Sequence, residues 1–140
     1  EAGELLFADE AKSDVYGKVF NLKQMEEGQL TLEIENQESL EILPINVTKL
    51  TASLNKGQGI MISKPMVKHN DTSLKVYLGQ KCLDMQMTIF DQYGDVVHRS
   101  EIEKGDAKVQ RYDISDLSNG SYRIQFTAEG RSFYHTISLD

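Results

Sequence analysis

YDISDLSNGSYRIQF, residues 112–126, contains two runs of alternating apolar and polar side chains separated by a turn sequence. In the second run, residues 122–126, every second side chain is apolar, which is the period of a half-buried β-strand. Asn119 and Gly120 tolerate positive φ, so they predict a tight reversal of the chain. Leu117 precedes this reversal, and we expect its side chain to pack beneath the turn as a plug.

The same pattern occurs earlier in the chain, in FNLKQMEEGQLTLEI at residues 20–34. Gly28 falls on Gly120, an offset of 92 residues. Six apolar pairs share this offset: Phe20 with Tyr112, Leu22 with Ile114, Met25 with Leu117, Leu30 with Tyr122, Leu32 with Ile124, and Ile34 with Phe126. With a slip of one residue, the match extends upstream to residues 3–6 and 94–97. A turn glycine, a plug and two strand faces at one offset indicate an internal repeat.

Short alternating segments separated by turn residues run along the whole chain, and none has a convincing helical period. The predicted strands are residues 4–8, 16–22, 29–35, 39–47, 49–54, 59–63, 73–78, 83–90, 96–103, 109–114, 121–127 and 133–139. This spacing predicts an all-β, immunoglobulin-like antiparallel β-sandwich. Combined with the offset, it predicts about one and a half tandem repeats. Residues 1–47 would be the second half of an incomplete repeat, and residues 48–140 a complete one.

The complete repeat should bury the inward-facing apolar positions of its strands. This predicted core consists of Ile60, Ile62, Leu74, Val76, Leu78, Leu83, Met85, Met87, Ile89, Val97, Tyr112, Ile114, Leu117, Tyr122, Ile124, Phe126 and Ile137. The half repeat leaves an apolar face and strand edges without partners. It would be completed by packing on residues 48–140, by pairing with another chain, or by upstream strands lost from a longer chain. We favour such a loss, with pairing between chains as its consequence.

Composition excludes several classes of partner. The 140 residues are 39% hydrophobic and 26% charged, which suits a soluble domain with a real core. No apolar run approaches the length of a membrane span, so no membrane insertion is predicted. A net charge of −7 argues against nucleic acid and anionic membrane surfaces. The excess is concentrated in residues 1–47, which hold 11 acidic and 3 basic residues, against 11 and 12 in residues 48–140.

Cysteine and histidine offer no catalytic or metal-binding pattern. Cys82 is the single cysteine, and its position at the head of a predicted strand favours a buried small hydrophobe over a reactive thiol. His69, His98 and His135 fall on different predicted elements without ligand spacing, although His98 and His135 could approach each other in space.

Four acidic residues, Asp91, Asp95, Asp113 and Asp116, lie near predicted turns, where carboxylates can collect a calcium ion. Their spacing does not follow a compact oxygen-ligand loop, and turn aspartates commonly accept hydrogen bonds from nearby backbone amides. We therefore predict no catalytic, cofactor-binding or metal-binding residues, no cofactor and no enzymatic activity.

Two motifs near the end of the chain carry a family resemblance. They are DQYG at residues 91–94 and DISDLSNGSY at residues 113–122, and a last strand within RSFYHTISL at residues 131–139 follows them. This segment resembles small immunoglobulin-like modules of secreted Bacteroidetes proteins. It is similar to the C-terminal sorting domain of the type IX (Por) secretion system and to uncharacterised tandem-sandwich proteins of the same bacteria. The resemblance implies export to the periplasm, the cell surface or the medium.

We thus predict an exported, non-enzymatic β-sandwich protein with a structural or protein-interaction role. A protein partner or self-association is expected, and nucleic acid is not. The alternatives are a type IX sorting domain and a carbohydrate-binding accessory module. A sugar-binding module needs an exposed aromatic platform, whereas this chain has no Trp and most of its Tyr and Phe are predicted to face inward.

Overall fold

The alternating segments form β-strands in the computed structural model, which describes residues 4–22 and 25–140. Its strands are β1 (Gly28–Glu35), β2 (Ser39–Val47), β3 (Ala52–Leu54), β4 (Ile60–Ser63), β5 (Met66–His69), β6 (Ser73–Tyr77), β7 (Met85–Phe90), β8 (Val96–Ile102), β9 (Val109–Asp113), β10 (Gly120–Ala128) and β11 (Arg131–Leu139). The only helical element within the described ranges is a short 3₁₀ turn at Lys56–Gln58.

Strands β5 to β11 form a two-sheet antiparallel sandwich. One sheet has the order β5-β6-β9 and the other has the order β11-β10-β7-β8. Every strand pair in both sheets is antiparallel. This arrangement confirms the predicted immunoglobulin-like β-sandwich, and it follows from the alternation, since one face of each sheet is apolar and must be covered.

Most of the predicted core is confirmed. The buried members are Ile62, Leu74, Val76, Leu78, Met85, Met87, Ile89, Ile114, Tyr122, Ile124, Phe126 and Ile137, while Leu83, Tyr112 and Leu117 are partly buried against them. The prediction that Ile60 and Val97 are buried was wrong, because their side chains are 40% and 39% exposed. Ile60 lies on β4, which pairs only with β2 in the described structure, and Val97 lies at an irregularity of the edge strand β8. Edge positions are not covered on both sides, so alternation alone overestimates their burial.

The stretch 112–126 forms a corner between the two sheets. Strand β9 ends at Asp113 in one sheet, and β10 begins at Gly120 in the other, so the two runs do not pair with each other. The predicted plug is confirmed, because Leu117 packs against the core. The Tyr122 hydroxyl donates a hydrogen bond of 2.6 Å to the Ser118 carbonyl, which is the geometry of a tyrosine corner in sandwich domains.

A third sheet precedes the sandwich. Strand β2 pairs with β1 along one edge. Along the other edge, the first half of β2 pairs with β4 and its last three residues pair with β3. The predicted boundary between residues 47 and 48 therefore falls between two strands that pair with each other, β2 and β3. The division into two repeats stays a prediction.

The β1–β2 hairpin and the β10–β11 hairpin share one numbering offset. Strand β2 spans residues 39–47 and β11 spans residues 131–139, so both bounds differ by 92 residues. The first residues of β1 and β10, at 28 and 120, differ by the same number. The register is also shared, since Gly28 pairs with Val47 and Gly120 pairs with Leu139. Both glycines have positive φ, 154° and 149°.

The predicted strands at residues 4–8 and 16–22 were wrong, because the structure gives both segments as irregular chain. They nevertheless approach each other, with the rings of Phe7 and Phe20 edge to face at 4.9 Å. The sandwich has a similar edge-to-face contact between the rings of His98 and Tyr112, whose centres are 5.5 Å apart. However, β8 is held by β7 and β9 by β6, whereas residues 4–22 form no strand of the three described sheets. A backbone without a neighbouring ladder does not hold strand geometry.

Candidate interaction surface

Two of the four acidic residues that were considered for calcium, Asp91 and Asp113, accept local hydrogen bonds. The Asp91 carboxylate accepts bonds from the amides of Tyr93 and Asp95, both at 2.9 Å. The Asp113 carboxylate accepts bonds from the Ser115 hydroxyl at 2.6 Å and the Ser115 amide at 2.9 Å. These two bonds, the hydroxyl first, lower the pKa of Asp113. Within residues 4–22 and 25–140, no group of three or more His, Cys, Asp or Glu residues is arranged to hold a metal ion.

The histidines lie apart. His98 and His135 occupy the same row of one sheet, but Ile89 and Ile124 lie between them on β7 and β10. Three strand spacings separate their backbones by about 14 Å. The His135 Nε2 atom is 2.9 Å from the carbonyl oxygen of Pro65, so this ring contacts the chain just before β5.

Cys82 is buried, as predicted. Burial raises the pKa of its thiol, which disfavours the reactive thiolate. Its Sγ atom lies 3.3 Å from the Leu83 carbonyl oxygen. These observations describe a structural residue.

The outer face of the four-stranded sheet is polar, with one aromatic and cationic cluster. The Arg123 guanidinium lies 4.9 Å from the centre of the Phe90 ring and 5.4 Å from that of Tyr134. Beside it, the Gln125 amide donates to the Ser132 hydroxyl at 3.1 Å. Tyr134 is an exposed aromatic that the sequence did not single out.

The third sheet has one partly uncovered apolar face, which sequence analysis did predict. Cross-strand pairing places Leu30 and Leu54 beside Ile45, Leu32 beside Leu43, and Ile34 and Met61 beside Glu41, all on one side. We call five of these residues, from β1, β3 and β4, the open apolar face: Leu30, Leu32, Ile34, Leu54 and Met61. Exposure reaches 37% at Leu32, 50% at Ile34 and 40% at Leu54. Leu43 is buried, and a Cβ atom at Gly59 would come within 2.6 Å of it, so the backbone directly after the 3₁₀ turn covers Leu43.

The opposite side of the third sheet packs on the sandwich. Leu40 and Ile42 on β2 and Ile62 on β4 belong to the same buried cluster as the sandwich core. The sequence signal for this burial was the apolar pair Leu40 and Ile42, two residues apart on one face of β2.

Two ion pairs fasten β1 to the rest of the molecule. The Arg131 guanidinium donates to the Glu33 carboxylate, with 2.9 Å between Nε and Oε1. The Lys64 ammonium lies 2.6 Å from the Glu35 carboxylate and 5.3 Å from the centre of the Phe133 ring. Strand β1 is thus held from its polar side, while among the described residues no strand pairs with its edge away from β2 and its apolar side is partly exposed.

The architecture defines an immunoglobulin-like sandwich, and comparison with known proteins supports this class. One solved structure, a DUF3244 family protein with an immunoglobulin-like β-sandwich fold from Bacteroides vulgatus, matches with a TM-score of 0.50 and 17% identity over 54% of this chain and 84% of that chain. No curated protein matches.

Residues 70–139 match the model of the secretion system C-terminal sorting domain. The chain therefore belongs to the family of secretion system C-terminal sorting domains. The match covers strands β6 to β11 and ends with the last residue of β11. In the described part of the chain, no helix combines the length and apolar character needed to cross a bilayer.

Proposed function

We propose that the sandwich of β5 to β11 is a sorting signal that a type IX secretion system recognises on a folded domain. The observation that carries this proposal is the family match over residues 70–139, which covers six of the seven strands of the two-sheet sandwich. In this proposal the domain acts by being bound; the buried thiol of Cys82 and the local hydrogen bonds of the Asp91 and Asp113 carboxylates are in keeping with such a role. The cell surface or the medium is the proposed destination.

The test uses the full chain as the C-terminal part of a fusion. A fluorescent reporter with a general export leader is joined to residues 1–140 and expressed in a bacterium that has a type IX system. An isogenic strain without the secretion pore is the control. We expect the reporter on the surface or in the medium of the first strain and in the periplasm of the second. Equal retention in both strains would overturn the proposal.

A matched variant separates recognition from folding. Phe126→Asp places a charge at a fully buried position and should unfold the sandwich, whereas Thr31→Asp changes an exposed residue of the third sheet. Export is expected to be lost in the first variant and kept in the second. Export of the unfolded Phe126 variant at the normal level would show that a linear segment, and not the folded sandwich, is recognised.

We also propose that the chain is built of about one and a half tandem repeats, residues 1–47 and 48–140. The shared offset and register of the β1–β2 and β10–β11 hairpins support this proposal, as does the resemblance between the Phe7–Phe20 and His98–Tyr112 contacts. In this view, the open apolar face is the interior face of a sandwich whose other sheet is not among the residues described. A protein-interaction role is the second candidate function, and this face favours it.

A further inference from the structure

The outer face of the three-stranded sheet carries three cations in one row. Strand pairing places Lys68 of β5 opposite Lys75 of β6, and Lys75 opposite Arg111 of β9. Leu74 and Val76 are fully buried in the core, so Lys75 between them faces away from it. Neighbouring strands lie about 4.8 Å apart, and the three side chains therefore form a short line across the sheet, which we call the basic row.

The basic row has no acidic partner in the part of the chain that the structure describes. The ion pairs there are Lys18–Asp9, Lys64–Glu35 and Arg131–Glu33. Like charges directly opposite each other on adjacent strands destabilise a sheet. The row also reverses the sign of the whole protein, whose net charge is −7. A carboxylate placed over Lys75 would relieve the repulsion, because it would face all three cations.

An apolar row runs beside the basic row on the same face. Met66 pairs with Tyr77, and Tyr77 pairs with Val109, each two residues along its strand from a member of the basic row. This spacing separates the two rows by about 7 Å. Met66 is 57% exposed, and the Lys68 ammonium lies 5.7 Å from the centre of the Tyr77 ring. The face thus presents cationic and apolar groups side by side.

Beyond the basic row, on the side away from the apolar row, lies an open cleft of about 410 Å³. Its lining residues are Thr72, Ser73, Arg111, Tyr112, Asp113 and Ser115. Asp113 pairs with Ser73 and contributes the acidic side chain of this face. Hydroxyl groups and a carboxylate accept hydrogen bonds, so this end of the face suits a donor and disfavours a second carboxylate.

This combination of rows favours a protein segment over other anions. An acidic polysaccharide supplies carboxylates but no apolar side chain for the apolar row. Nucleic acids and anionic bilayers carry extended arrays of negative charge, which a protein with a net charge of −7 repels. In an extended peptide, every second side chain projects from the same side at intervals of about 7 Å, which is also the separation of the two rows.

We propose that the outer face of β5-β6-β9 binds an extended acidic segment of a protein partner, with a carboxylate on the basic row and an apolar side chain, two residues away, on the apolar row. The position two residues to the other side of the carboxylate lies at the cleft and carries a hydrogen-bond donor. This inference goes beyond the sorting role and does not depend on it.

A synthetic peptide provides the probe. It has the sequence Thr-Lys-Thr-Glu-Thr-Leu-Thr with both ends blocked, and its two controls replace Glu by Gln and Leu by Ser. Binding to the isotope-labelled full chain is followed by two-dimensional NMR, which also locates the site. We expect saturable shifts centred on β5, β6 and β9, with a dissociation constant of about 1 mM or lower. Each control should bind more weakly by about fivefold or more.

Variants of the chain test the basic row. Lys75→Gln with Arg111→Gln should weaken peptide binding by about tenfold or more, because it removes two of the three cations. The matched control, Lys49→Gln with Lys56→Gln, changes the net charge equally at exposed positions outside the sandwich strands and should bind as the native chain does.

Thermal unfolding separates a binding role from a structural one. Because like-charge repulsion is relieved, the Lys75/Arg111 variant should unfold at or above the midpoint of the native chain. A clearly lower midpoint would mean that these side chains serve stability, and it would overturn the proposal. The two control peptides test the same contacts on the native chain, whatever the variant does.

Four further results would overturn the proposal: no shifts at about 1 mM peptide, equal binding of the probe and both control peptides, equal binding to the Lys75/Arg111 variant, or tighter binding of another anion at the same amides. The other anions are polygalacturonate and phosphatidylglycerol vesicles, and tighter binding of either would assign the face to a polysaccharide or a membrane. Since only purified components are used, failure of this test leaves the export experiment unaffected.

Discussion

The Tyr122 hydroxyl donates a hydrogen bond of 2.6 Å to the backbone carbonyl of Ser118 and closes the corner at which the chain changes sheets. Because Tyr122 is buried, removal of its hydroxyl group leaves the Ser118 carbonyl without this hydrogen-bond donor. Tyr122→Phe is expected to lower the free energy of unfolding by about 1 kcal/mol. Urea denaturation measures this change in the free energy of unfolding. The control is Tyr134→Phe at an exposed position, which should unfold within about 0.5 kcal/mol of the native chain. Equal effects of the two substitutions would contradict the assigned corner.

Gly120 starts β10 with φ of 149°, a conformation that residues with a side chain rarely adopt. A Cβ atom there would also lie 3.4 Å from the Gln92 side-chain oxygen. We expect Gly120→Ala to destabilise the chain by about 1–3 kcal/mol, mainly through backbone strain. Gly17→Ala is the control, because nothing lies within 4 Å of a Cβ atom there and no positive φ is required. Thermal unfolding should show a lower midpoint for the first variant only.

Ile124 and Leu32 occupy equivalent positions of the two hairpins, but their burial differs. Ile124 is fully buried, whereas Leu32 is 37% exposed on the open apolar face. Ile124→Ala should cost about 2–5 kcal/mol of unfolding free energy because it leaves a cavity in the core. Leu32→Ala should cost about 1 kcal/mol or less. Guanidinium denaturation checks both, and a cost at Leu32 as large as that at Ile124 would mean that the open apolar face is already covered in solution.

Sequence patterns predicted many strand positions well because alternation and turn chemistry act locally. The prediction of residues 39–47 coincides with β2, and residues 29–35 differ from β1 by one residue. The open apolar face was also predictable, because the repeat placed Leu32 and Ile34 at core positions.

Features that depend on distant partners were not predictable in the same way. Residues 4–8 and 16–22 alternate like strands, but a strand also needs a neighbour to bond with, and alternation does not report one. The short β5, Met66–His69, was missed because MVKH shows little alternation, and its place depends on pairing with β6. The ion pair between Glu33 and Arg131 joins residues 98 positions apart, a proximity set by the packing of the third sheet on the sandwich.

Asp113 lies at the start of the corner that Tyr122 closes, and its lowered pKa gives a prediction for how stability depends on pH. Its pKa lies below the ordinary value of 3.8, because the Ser115 hydroxyl and then the Ser115 amide hydrogen-bond to the carboxylate. A lowered pKa in the folded state means that the stabilisation is present above the ordinary value and is lost as the pH falls through the lowered one. Ser115→Ala removes the hydroxyl and keeps the amide, so the pKa of Asp113 should rise toward its ordinary value. Ser115→Thr retains a hydroxyl and should preserve the shift. An NMR titration of the Asp113 carboxyl carbon measures both variants, and an unchanged pKa in Ser115→Ala would refute the assigned cause.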